Sequence, residues 1–148
     1  MTEMKPTLVG AVIGLTVLVS LDASGNPPRR QIVCKTPEIA ERCYWTHGRL
    51  GYGNGTPALR LWKIGTNRVL GIYSGPSTYN PKLEDPDMGD NEDPQLPANV
   101  KKVFRTNTDQ GVPLRIFADF EVCQLEPERS GVMQAACIEA ARNIVVEK

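Results

Sequence analysis

Residues 48–75 read GRLGYGNGTPALRLWKIGTNRVLGIYSG, and the punctuation of that stretch decides the fold. Two apolar-rich runs, Ala58 to Ile64 and Arg68 to Tyr73, flank Gly65-Thr66-Asn67. Gly and Asn tolerate the positive φ that a tight hairpin connection needs. The runs are rich in Leu, Ile, Val, Trp and Tyr, which suit a pleated, half-buried surface. Alternation sets Leu59 and Leu61 opposite Arg60, Trp62 and Ile64. It sets Leu70 and Ile72 opposite Val69, Gly71 and Tyr73 in the same way. Both faces carry apolar groups, so the hairpin belongs in a sheet covered on two sides. Upstream, Gly51 to Pro57 holds three glycines, an Asn and a Pro, a density that ends any helix. The stretch therefore predicts strand, turn, strand, tight turn, strand. Gly71 inside a strand predicts a bulge or a close backbone approach.

Toward the C-terminus, Leu114 to Leu125 alternates most clearly. Ile116, Ala118, Phe120 and Val122 should face a core, and Phe117, Asp119, Glu121 and Cys123 the other side. Pro127 to Gly131 reads as a turn. Val132 to Ile144 has helical spacing and Ala content on one reading. On the other it is a strand over Met133 to Ala140, a turn, and a last strand over Asn143 to Glu147. In a hairpin centred near Ser130, Cys123 and Cys137 fall opposite one another, which selects the strand. Toward the N-terminus, Cys43 to His47 has strand composition, and Thr36-Pro37-Glu38 has the capping pattern of a short helix. Pro97 can start a helix over residues 98–105, with Val100, Val103 and Phe104 on one face.

These elements predict a mainly β, single domain of 148 residues. Five to seven strands could close as a small antiparallel barrel of the OB (oligonucleotide/oligosaccharide-binding) type, with the 98–105 helix over one end. A two-sheet β-sandwich is the alternative.

Residues 1–25 have the three parts of a secretory signal. Lys5 precedes the 14-residue apolar run Leu8 to Leu21, and Ala23, Ser24 and Gly25 follow. The run is shorter than the ~20 residues of a bilayer span, so no stable membrane insertion is expected once it is cleaved. An uncleaved anchor is the rival, favoured by Arg29 and Arg30. Residues 26–148 would then be a secreted or periplasmic domain. Its four cysteines, Cys34, Cys43, Cys123 and Cys137, read as two disulfides. Local loop closure favours Cys34–Cys43 and Cys123–Cys137. Zinc is the sharper reading, but no CxxC is present and His47 is the only histidine.

Lys plus Arg and Asp plus Glu both number 17, which argues against a general nucleic-acid binder. The acids are unevenly placed: EDPDMGDNED at 84–93 carries six of them and no base. It lies within a Pro-rich stretch, 75–97, expected to be a long, irregular and mobile loop. Asp85, Asp87, Asp90 and Glu92 offer oxygen ligands for calcium, although the spacing matches no EF-hand. Asn54-Gly55-Thr56 is a glycosylation sequon, relevant in a eukaryotic source.

Asp119 and Glu121 should project from one side of a strand, on the order of 7 Å apart, and such a pair can do acid–base work on a sugar. His47 has no patterned serine beside it, so a Ser–His–Asp hydrolase is not indicated. The usual catalytic inventory is nearly empty. The residues favour an exported, non-enzymatic binding or interaction domain for a protein or glycan, with Trp45, Tyr52, Trp62 and Tyr73 as amphipathic ligand-facing rings. A small secreted carboxylate-dependent glycan hydrolase and a membrane-tethered assembly protein are the alternatives.

Overall fold

The computed structural model describes residues 32–82, 94–108 and 114–147. The expected signal segment and the calcium candidates Asp85, Asp87, Asp90 and Glu92 lie outside them. Five strands close into a barrel: β1 (Cys43–Tyr52), β2 (Leu59–Lys63), β3 (Val69–Ile72), β4 (Arg115–Gln124) and β5 (Gln134–Val146). Around the barrel the order is β1-β2-β3-β5-β4. One helix, α1 (Ala98–Thr108), joins β3 to β4. This is the OB-like arrangement, and closure excludes the sandwich. Pairing is antiparallel except between β3 and β5, which run parallel.

The β2–β3 hairpin forms where the sequence placed it, in the register Arg60↔Gly71, Leu61↔Leu70 and Trp62↔Val69. Gly65 takes φ 78° in the turn, the left-handed region that a side chain resists. The Thr66 amide and hydroxyl both donate to the Lys63 carbonyl, at 3.2 and 2.9 Å. Gly71 answers the expectation of a close approach: a Cβ there would stand 2.6 Å from the Pro57 ring.

Inward residues fill the barrel. Leu50, Leu61, Ile116, Ala118, Phe120 and Val122 are fully enclosed. The helix contributes Val100 and Phe104 to the same cluster. Its first bond, from the Lys101 amide to the Pro97 carbonyl at 2.9 Å, begins it at the proline.

Three expectations are corrected. The C-terminal segment is one 13-residue strand rather than two strands and a turn. Its register against β4 shifts twice, between Phe117/Asp119 and between Glu121/Val122. Each shift inserts an extra β5 residue, so β5 bends around the barrel without leaving the ladder. Asn143, at φ 55°, sits in one of these bulges. Near the N-terminus, the expected helix at Thr36 is a turn that leads into a 3₁₀ segment at Ala40–Arg42.

The third correction is the cysteine pairing. The bridges are Cys34–Cys137 and Cys43–Cys123. Cys123 does lie opposite Cys137, as expected, but it also lies opposite Cys43. Backbone direction chooses between the two. The His47 carbonyl accepts from Ile64, so odd-numbered β1 residues turn their backbone groups away from β4. Cys43 and Cys123 are therefore a non-hydrogen-bonded pair, with Cα atoms only 4.0 Å apart. The Leu125 amide donates to the Ala135 carbonyl, so odd β4 residues bond toward β5. Cys123 and Cys137 thus form a hydrogen-bonded pair, whose wider spacing suits a bridge less well. Cys137 is left to the incoming Cys34, and Ile39 and Leu125 cover the cluster.

Two disulfides mark an oxidising, non-cytoplasmic compartment. Among the described residues, no helix is long and apolar enough to cross a membrane. The described ends of the Pro-rich stretch are fastened: Tyr79 packs on Tyr73, and the Gln95 amide donates to Ser74 Oγ at 3.0 Å.

Candidate functional site

Alternate residues of a strand point to opposite faces. Leu50 points into the barrel, so Trp45, His47 and Arg49 point out from β1. The register sets Trp45 opposite Glu121, and His47 opposite Asp119. Asp119 in turn stands opposite Arg142 on β5. On the other side of β1, Arg49 faces Trp62. The outer face is thus a mixed patch of two indoles, three basic residues and two carboxylates.

The indoles are held beneath guanidinium groups. Arg142 Cζ lies 4.2 Å from the Trp45 ring centre, and Arg49 Cζ 5.1 Å from that of Trp62. Trp45 stays 43% exposed. The four expected ligand rings do not form one site. Trp45 and Trp62 share the outer face, while Tyr52 packs edge-on against Phe104 at 5.8 Å. Tyr73 is buried against Tyr79.

The two carboxylates are engaged separately. Asp119 accepts from Asn143 Nδ2 at 2.8 Å and is paired with His47 Nδ1 at 2.9 Å. The Asn143 amide, and after it the His47 ring, hold the Asp119 carboxyl below the usual aspartate value. Glu121 takes Lys35 Nζ at 2.6 Å. Because Asp119 is easier to ionise folded than unfolded, its contribution to stability is present above the ordinary aspartate pKa. It is lost as pH falls through the lowered value. Asn143→Gly keeps a residue that accepts positive φ and removes the amide donor. A carboxyl-carbon NMR titration should then show the Asp119 midpoint rise toward that of a free aspartate; an unmoved midpoint would deny Asn143 this role.

Along Tyr44–Thr46, among the described residues, β1 has a free side; the Cys43 amide just before it donates to the Ala40 carbonyl. Its register with β2 covers only Gly48–Tyr52. By the same backbone parity, Trp45 directs its amide and carbonyl toward β2's side, beyond that register. Among the described residues no strand pairs there.

A second feature escaped the sequence reading. The β2–β3 turn and the β4–β5 loop enclose a groove of about 460 Å³. Lys63, Arg68, Arg129 and Glu128 supply its charge, and Val69, Val132 and Met133 its apolar surface. Gln134 also lines it and is only 5% exposed. Glu126 stiffens the loop: Oε2 accepts from Arg129 at 3.0 Å, Oε1 from the Ala135 amide at 3.2 Å, and its carbonyl from Gln134 Nε2 at 3.0 Å. Burial, and then the Glu126 charge, push the Tyr79 hydroxyl up to about 12, so Tyr79 bonds to that carboxylate as a neutral phenol. The signal that could have revealed the groove is Gln134 itself, a polar residue opening the otherwise apolar run Ala135-Ala136-Cys137.

No protein-family model, curated protein or solved structure matches the chain. The zinc reading falls with the cysteines, since all four are in disulfides. Among the described residues, no group of three or more His, Cys, Asp or Glu could hold a metal ion.

Proposed function

We propose that the protein is an exported, non-enzymatic interaction domain that receives a polypeptide partner along the free side of β1. The observation that carries this reading is Trp45. It is 43% exposed, it lies under Arg142, and it stands where, among the described residues, β1 pairs on one side alone. Trp and Arg are the side chains that most often dominate interface energetics. An open strand edge accepts an extended chain through main-chain hydrogen bonds, and neighbouring side chains supply specificity. Export is supported by the disulfides together with the apolar run Leu8 to Leu21, and a secreted or periplasmic location follows from it.

The glycan hydrolase is the weaker reading. Its acid needs a raised pKa, whereas the Asp119 carboxyl is lowered. Glu121 is committed to Lys35. A glycan partner is disfavoured because Arg142 already covers one face of the most exposed ring.

Ile64 is half exposed, and its amide donates to His47 beside the free edge. A photo-reactive residue at Ile64, irradiated in the native compartment, should give a discrete protein adduct. Trp45→Ala in that background should lower the adduct by about tenfold or more. An adduct indifferent to Trp45, or none, would remove the reading.

A further inference from the structure

We infer that the groove between the β2–β3 turn and the β4–β5 loop binds the carboxy terminus of a polypeptide: its free carboxylate, the last backbone N–H and an aliphatic side chain. The inference rests on the reading of a polypeptide partner and names the part of the partner that would be held.

Gln134 is the first observation. It is 5% exposed, and its Nε2 donates to the Glu126 carbonyl at 3.0 Å, which fixes the orientation of the amide. No donor among the described residues reaches Oε1. Buried acceptors are seldom left without a donor, and Gln134 lines an open groove. The ligand must bring an N–H or O–H.

Charge is the second. Arg68 is paired with Glu128 and Arg129 with Glu126. Lys63 has no carboxylate partner among the described residues; its Nζ reaches the Tyr44 hydroxyl at 3.3 Å and lies 4.7 Å from the Tyr44 ring centre. Among the described residues the groove therefore carries one uncompensated positive charge. That matches a single carboxylate better than a phosphate or a polyanion.

The walls are the third. Val69, Val132 and Met133 line the groove, and no aromatic ring does. Sugars stack on rings, so the lining suits an aliphatic side chain better than an acidic saccharide. The volume of about 460 Å³ falls within the usual range for small ligands. A terminal residue meets all three demands at once. Its carboxylate would pair with Lys63, its N–H would donate to Gln134 Oε1, and its side chain would lie on Val132 and Met133. Through Tyr44, Lys63 also touches the Cys43–Thr46 segment of β1.

The test titrates the full-length oxidised protein into fluorescein-labelled peptides ending in Val, Leu or Met, each as free acid and as carboxamide, and reads anisotropy. The free acids should bind about tenfold or more tightly than the carboxamides. Lys63→Gln, a change at a half-exposed position, should erase that preference. Gln134→Met should weaken acid and amide alike, because both present the N–H. Equal binding of acid and amide overturns the inference, and if Trp45→Ala then weakens both, the edge reading stands without it. Binding of neither form also overturns it, and the Ile64 adduct decides the edge reading separately. Binding of fluorescein-labelled oligogalacturonate, with no binding of either peptide form, overturns it in favour of an acidic sugar.

Discussion

A variant with all four cysteines replaced by alanine should be largely unfolded at room temperature, whereas one lacking only Cys34 and Cys137 should fold with reduced stability. The bridges are nested. Cys43–Cys123, with a sequence separation of 80, lies inside the 103-residue separation of Cys34–Cys137. Once the inner bridge is closed, the shortest path between Cys34 and Cys137 runs through it. The outer bridge then closes an effective loop of only about 25 residues, which is worth about 3.5 kcal/mol by chain entropy. The inner bridge is worth about 4.5 kcal/mol on the same account, for a total of about 8 kcal/mol. Net stabilities of single domains are only about 5–15 kcal/mol. Urea unfolding of the oxidised wild type, the double variant and the quadruple variant measures both steps. A quadruple variant that keeps its sheet signal and most of its stability would show that the bridges do not hold the fold.

Phe120→Ala should be the most damaging single change in the barrel, costing about 3–5 kcal/mol. Phe120 is completely enclosed and is the largest such side chain. It sits on β4, the strand that lies between β1 and β5. Truncation loses the transfer free energy of the ring and leaves a cavity that flanking strands, tied by two disulfides, can collapse into only partly. Equilibrium urea unfolding gives the number. A loss below about 1 kcal/mol, the range of an ordinary substitution, would mean that Phe120 is not the centre of the core. Trp45→Ala, on the outer face, should cost far less in the same measurement, which separates its role in binding from any role in folding.

Much of this was legible from residue order. The hairpin about Gly65, the inward set on β4 and the helix after Pro97 all rest on local rules: a turn residue that accepts positive φ, a period of two, a missing amide at a helix start. Each rule acts within a few residues, so the chain states it directly. The misreadings share a cause. The helix expected at Thr36 and the turn expected between Ala140 and Asn143 rest on local composition, which tertiary contacts override where bridges and bulges bend the chain. The spacing of Asp119 and Glu121 along β4 is local and legible, while their partners, Asn143, His47 and Lys35, come from distant segments.

The sequence by itself determined the class of the fold, the number of its disulfides, the faces of its central strands and the scarcity of catalytic groups. These are matters of composition and short-range pattern. Only the tertiary structure decided which cysteines meet, that β3 and β5 run parallel, that Trp45 lies beside a free strand edge, and that a buried glutamine lines a charged groove. Those features join residues tens of positions apart. Barrel closure and backbone parity set them, and neither can be read from a residue and its near neighbours.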